Sequence, residues 1–460
     1  MTRKIPRRDF LKLMGAGAIV LGFGGLGGFA GLFRKQKSYG SGQPIMNYVD
    51  LVSNLATSGK WEIIQHSVNG VLKDNICPVM PVHAALLRNG HVLFLAGSQN
   101  DRQGYNHHCQ IFRNFIWDFD NGYQNSTFRV MATPTDVFCA GHSFLSDGSL
   151  LIAGGTKELS ASTGQPVGLG FQGTPDSYLF EPLSESFPEE QHRKMRDGRW
   201  YPTLITLGSG RILTVTGLSK VLTAAGGPQD NRLTEVYSRS NGWMSPLTFI
   251  VSGKENFIDC DTGQPFSSNI TSLGVPWPLY PHLTLLADGR LFYSGGHVFK
   301  ERFCLQPGWI QLDSVPSTYN YTRLANLPSD FNLRLRDHSC TVLLPPAQDQ
   351  KVMNIGGGDH HFPGMYNSIN NVHFINLSDS NPTYVSTGSL NHARLHHTAI
   401  LLPDRTVLVC NGNLRGDNIS DIPQKEAEIY NPVTGIWTVV ATATVSRMYH
   451  SLGLLLPDGR

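Results

Sequence analysis

Charge is scarce in this chain. Asp, Glu, Lys and Arg make up 16% of its 460 residues, and 37 basic side chains against 35 acidic ones leave a formal net charge of +2. No large field of one sign is available to hold nucleic acid or a strongly acidic partner, so neither is expected. Cysteine is sparse too, at seven, an odd number that cannot pair completely. What is plentiful is turn chemistry: 48 Gly and 27 Pro, high for a helical protein and ordinary for an all-β one with many turns. Length alone suggests about three domains. Internal repetition overrides that prior, because repeat folds grow as one unit.

One long apolar run stands out at the N-terminus. Residues 3 to 12 read RKIPRRDFLK, and Leu13 to Phe33, 21 residues rich in Gly and Ala, carry no charge. A basic segment followed by an apolar one is the layout of an export signal. Arg7-Arg8-Asp9-Phe10-Leu11-Lys12 resembles the twin-arginine (Tat) motif, whose substrates cross the membrane folded. No clear A-x-A site follows, and the run is close to the roughly 20 residues that span a bilayer. Residues 1–37 are therefore read as a Tat-type signal or an uncleaved anchor, and 38–59 as a polar linker. Either way the bulk of the chain is exported: periplasmic, extracellular, or anchored facing outward, with a membrane met only through the N-terminal segment. A monomer is expected.

The stretch Val137 to Gly155, VFCAGHSFLSDGSLLIAGG, sets the pattern for the rest. Two short apolar runs flank Ser146-Asp147-Gly148, which is hairpin turn chemistry. Gly154-Gly155 then ends the second strand, where the backbone needs positive φ or close approach. The same sentence recurs seven times: His83 to Gly97, the stretch above, Trp200 to Gly217, Tyr280 to Gly296, Asp337 to Gly358, His396 to Gly412, and Tyr449 to Arg460. Weaker strands sit between copies, as in Asp176 to Pro182, Thr234 to Ser238 and Ala427 to Trp437; the aromatic-Asn-Pro-turn-Trp pattern in the last is typical of a kelch-like blade. Units of this length with four short strands point to an all-β, seven-bladed kelch-like β-propeller over residues 60–460, its last blade incomplete. A β-sandwich would not repeat one hairpin so often.

Almost every copy places His or Tyr-Pro just before its first strand, near the propeller axis. His83, His142, His282 and His338 are read as structural, bonded to the next blade. Three copies depart from that norm. Copy two has Phe138-Cys139, copy three Arg199-Trp200-Tyr201-Pro202, and copy seven Arg447-Met448-Tyr449-His450. Thiol, phenol, and phenol beside imidazole are thus expected at neighbouring inner-strand starts, since a ring closes on itself. Imidazole and phenolate donors in a tetragonal set suit Cu(II).

From these motifs the chain resembles the copper radical oxidases, the galactose oxidase and glyoxal oxidase family. Residues 447–460 are close to the family's copper-ligand segment, YHS followed by LLLPDGR, and copy two matches its FC-x-G segment. Trp200-Tyr201-Pro202 resembles the glyoxal oxidase branch. The resemblance implies a thioether between Cys139 and Tyr201, forming a one-electron redox cofactor. It implies copper held by Tyr201, Tyr449 and His450, with Tyr449 also the base that takes the substrate's hydroxyl proton. The activity implied is oxidation of a primary alcohol, aldehyde or carbohydrate by O2, giving hydrogen peroxide. The other reading is a non-catalytic kelch-type propeller binding glycans or a cell-surface partner.

The sequence departs from that family in two places. The family's second histidine ligand comes from a C-terminal sandwich domain. Here the sequence stops at Arg460, so the chain is read as a fragment of weak or no turnover by itself. His396-His397 and His360-His361 are set aside as substitutes. Where galactose oxidase carries a shielding tryptophan, this chain has Leu218-Ser219-Lys220, with no aromatic. Cys340 and Cys410, in apolar strands, are read as buried free thiols; the remaining cysteines could include disulfides.

Overall fold

The computed structural model describes residues 59–460, apart from 70, 98–111, 120–125, 158–171, 223–227, 247, 251–256, 260–276, 298–302, 313–317, 325–326, 329–335, 360–366 and 417–420. The twin-arginine motif, the apolar run, nearly all of the linker, Cys109, Cys260 and His360-His361 lie outside the described residues.

Each repeat folds as its spacing predicts. In copy two, strands Gly141–Phe144 and Leu150–Ala153 form the hairpin. The turn is closed by Leu145 N–H to Ser149 O at 2.8 Å and Gly148 N–H to Leu145 O at 3.0 Å. Strands Thr174–Phe180 and Arg193–Arg199 complete an antiparallel four-stranded sheet. Gly155 has φ +121°, and a Cβ there would lie 2.2 Å from Asp136 O, so only glycine fits.

Six such sheets follow in chain order, with inner strands His83–Leu86, Gly141–Phe144, Thr203–Thr206, Leu283–Leu285, Cys340–Leu343 and Thr398–Leu401. Five have four strands; the fourth gains Thr248–Ile250 on its outer side, paired parallel to Thr318–Arg323. The fold is an all-β propeller of six blades, not seven. Copy seven does not make a blade. Its turn forms as in the others, Leu456 N–H to Arg460 O at 2.6 Å and Gly459 N–H to Leu456 O at 2.9 Å. Residues 449–460 contain no strand, because a lone inner strand has no ladder partner. The segment is nonetheless docked on blade six. Gly412 N–H bonds Arg447 O at 2.9 Å, just as Gly155 bonds Arg199 O at 2.9 Å and Gly357 bonds Arg394 O at 3.0 Å.

Successive residues of a strand point to opposite faces, and here both faces are covered. Leu150 and Ile152 pack toward blade one, with Leu93, Leu95 and Ile116. Leu151 and Ala153 pack toward blade three, with Leu204, Ile212 and Tyr237. The same arrangement joins blades three and four, four and five, and five and six. That two-sided burial explains the unbroken apolar runs. Cys340 and Cys410 are free thiols, Cys410 buried, and burial pushes their acidities to about 12 and about 11. Cys77 is free too.

Candidate active site

The hub residues sit just ahead of the inner strands: Cys139, Tyr201, His338 and His396 two residues before, Tyr280 three before, and His450 in the strandless last copy. All six adopt a left-handed backbone, with φ between +44° and +66°. For residues other than glycine this costs about 1–2 kcal/mol each, and the surrounding ring offsets it. The amide of Tyr201 donates to Cys139 O at 2.9 Å, that of Tyr280 to Tyr201 O at 3.1 Å, and that of His396 to His338 O at 3.3 Å. Blades two, three and five thus each fix the next one's hub residue.

These side chains, with His83, His282, His297, His397 and Tyr449, line a cavity of about 240 Å³. Within it the Tyr201 and Tyr449 hydroxyls hydrogen-bond directly. The Cys139 thiol is within hydrogen-bonding reach of Tyr201. The rings of Tyr449 and His450 stack at 3.7 Å, and His450 meets Phe138 edge-on at 5.5 Å. All four residues named from the sequence therefore converge on one point, from blade two, blade three and the segment after blade six.

Burial dominates the electrostatics. It pushes the Cys139 thiol well above its usual range, against a smaller pull from Tyr201. It raises the Tyr201 phenol likewise, helped by the neighbouring Cys139, Tyr449 and Tyr280. Tyr280 is raised for the same reason. Burial drives His83 well below 6.5, with His142 and His450 adding to the effect. Buried phenols resist ionising unless a cation sits beside them. Copper(II) is such a cation, and the set present fits it: two phenols, an imidazole, and a His83 Nε2 buried on the wall with no hydrogen-bond partner.

Several contributors went unread in the sequence. Trp200 stacks on Tyr201 at 3.8 Å and 10°, and Tyr280 stacks on it at 4.5 Å and 23°. Two rings this close cannot share one face of a third, so the phenol is sandwiched. The aromatic cover missing from Leu218-Ser219-Lys220 is thus supplied by the adjoining residue and by the next blade's Tyr-Pro. Of the histidines read as structural, His142 bonds backbone at Ala84 and His282 Nδ1 lies 3.1 Å from Thr341 Oγ1, both on neighbouring blades. His83 and His338 line the cavity, as do His282, His396 and His397. His396 lies 4.7 Å from Tyr449, ring to ring, so the set-aside pair does reach the hub.

The fold and hub define a β-propeller with a tyrosine–cysteine–histidine centre. No family model matches the chain. It is 27% identical over 363 residues to a WSC domain-containing protein of Arthroderma benhamiae, covering 75% of this chain and 34% of that one. It is 25% identical over 399 residues to galactose oxidase of Gibberella zeae, covering 83% and 50%. With aldehyde oxidase GLOX of Vitis pseudoreticulata it shares 24% over 364 residues, covering 72% and 56%. The chain thus spans between a third and somewhat over half of the curated relatives it matches. A fungal alcohol oxidase of the AA5 family, solved with copper, shares the fold: TM-score 0.60 at 19% identity, over 83% of this chain and 69% of that one. Homology to galactose oxidase and the GLOX proteins supports placing this chain in the copper radical oxidase family.

Proposed function

We propose that the protein is an exported copper oxidase that converts a primary alcohol, aldehyde or carbohydrate and O2 to the oxidised product and hydrogen peroxide. The observation that carries this reading is the contact of Tyr201 with both Tyr449 and Cys139, residues 248 and 62 positions away in sequence. A binding propeller needs no such convergence.

Copper bound by Tyr201, Tyr449 and His450 would supply one oxidising equivalent and the route to O2. Tyr201 would hold the second, as a phenoxyl radical delocalised onto the sulfur of a thioether to Cys139. Forming that bond removes one hydrogen from the thiol and one from the ring carbon, with O2 as acceptor. Tyr449, already hydrogen-bonded to Tyr201, would take the substrate's hydroxyl proton. Trp200 and Tyr280 would exclude water from both faces of the Tyr201 ring. The cavity of about 240 Å³ suits a small substrate. Export would proceed through Arg7 and Arg8 by the Tat route, placing the enzyme where O2 and free copper meet it.

Peptide mass mapping tests the reading. After copper and air exposure, the peptides carrying Cys139 and Tyr201 should run as one species, lighter than their sum by two hydrogens. A free Cys139 in copper-loaded protein would exclude the oxidase mechanism.

A further inference from the structure

We propose that His297, Asp337 and His338 form a second site, for a divalent transition-metal ion, behind the wall of the cavity that His297 and His338 line. Nothing in the copper reading uses this set. One ligating atom from each residue falls within 4.8 Å of the other two. His297 Nδ1 is in hydrogen-bond contact with Asp337 Oδ1 at 2.9 Å, a contact an ion would replace by taking both atoms as ligands, and His338 Nε2 lies 3.6 Å from that oxygen. Metal–ligand bonds of about 2.0–2.2 Å put neighbouring ligands about 3.0–3.4 Å apart. Two edges of a coordination polyhedron are therefore already close to size.

The Asp337 carboxylate supplies a second, independent pointer. Asp337 is 1% exposed, and its Oδ2 is buried with no hydrogen-bond partner. A buried carboxylate oxygen without a donor is costly, and buried charges are paired or bind metals. His297 is buried as well, at 8%. The backbone holds the set in place. His297 exchanges amide bonds with Leu279 at 2.8 and 2.9 Å, and Asp337 O accepts from Gly358 N–H at 2.8 Å. His297 follows the inner hairpin of blade four, and Asp337-His338 opens blade five, so the packing of these neighbouring blades brings them together.

Two imidazoles and one carboxylate, with positions left open, bind zinc or ferrous iron. The open positions would face the cavity. The set adjoins the phenol pair without overlapping it: His297 is 6.0 Å from Tyr201 and His338 6.4 Å from Tyr449, ring to ring. An ion there would hold water or a substrate oxygen beside Tyr449.

The test strips the purified protein with chelator and titrates it with Zn²⁺ and, for its visible spectrum, Co²⁺. One equivalent should bind, with a cobalt spectrum, in His450→Gln, where the copper set is disabled, and at least one in the wild type. Binding should weaken by about 100-fold or more when Asp337→Asn or His297→Gln is added to His450→Gln. Near-UV circular dichroism checks that each variant is folded, and either of the two suffices. Retained binding in either folded double variant overturns the proposal. So does loss in His450→Gln, or a wild type that binds no ion. The thioether mass assay runs separately, so failure of one reading leaves the other standing or falling by itself.

Discussion

The hydroxyls of Tyr201 and Tyr449 meet in a direct hydrogen bond across 248 positions of sequence. Tyr201 is buried at 5% exposure, whereas Tyr449 is only partly covered. Both phenols line the cavity, but the Tyr201 ring is stacked between two others while Tyr449 is the more exposed. That asymmetry agrees with the roles proposed above, redox for the first and proton transfer for the second. Replacing Tyr449 by Phe should slow substrate oxidation by about 100-fold or more, the usual worth of a positioned base. The Cys139–Tyr201 cross-linked peptide should persist. Peroxide release and peptide mass check the two halves; unchanged turnover would remove Tyr449 from the reaction.

The sandwich around Tyr201 makes a separate expectation. Aromatic pairs contribute about 0.5–1.5 kcal/mol beyond area burial. Tyr280→Leu removes one face, and Tyr280→Phe keeps the ring while losing the 2.8 Å bond to Ala140 O. The proposed Tyr201 radical, followed by electron paramagnetic resonance, should decay about threefold to tenfold faster in Tyr280→Leu. In Tyr280→Phe it should decay at close to the wild-type rate. Equal decay in both variants would show that stacking does not protect it.

Much of this was legible in the sequence because hairpins advertise themselves. Ser146-Asp147-Gly148 between apolar runs marks a turn, and Cys139, Tyr201 and His450 occupy the same place in their copies. What escaped reading had physical reasons. Counting hairpin starts gives seven, but a strand needs a ladder partner, and residues 449–460 have none among the described residues. His297 and Asp337 escaped because the repeat marks one hub position per copy, ahead of the first strand, whereas His297 follows a second strand. Three arginines, Arg199, Arg336 and Arg394, each precede a hub residue by two, and each is fully buried. Their regular spacing was visible, but arginine is read as a surface residue unless a buried partner is known.

Acid should loosen the propeller. The His142 and His282 imidazoles are held down to about 4 from 6.5, chiefly by burial. The unfolded chain protonates them near 6.5 and the folded chain only near 4. In that window the unfolded state therefore binds more protons, and stability falls as pH falls. Above about 6.5 these groups contribute no pH dependence. The urea midpoint should drop between pH 7 and pH 5, and His142→Gln should drop less. An identical drop in His142→Gln would assign the acid sensitivity elsewhere.

The buried arginines carry the last prediction. Arg394 and Glu428 are both 0% exposed and pair at 2.8 Å. The guanidinium also donates to Asn411 O and Glu426 O, each at 3.0 Å. Glu428 accepts from the amides of Asn391 and His392 as well, at 2.6 and 3.1 Å. Breaking such a pair from one side strands a charge in the interior and costs about 3–5 kcal/mol. Glu428→Gln should therefore lower the unfolding free energy by that amount. Arg239→Ala should cost no more than about 1 kcal/mol, because that arginine is 43% exposed where it pairs with Asp147 at 2.7 Å. Arg394 stands two residues before His396, so its loss of anchorage should reach the hub before the blade unfolds. Amide hydrogen exchange in Glu428→Gln should rise at residues 394–397 at denaturant concentrations that leave blades two and three protected. Exchange rising uniformly through all six blades would mean that the arginine holds the propeller as a whole and not this blade's hub.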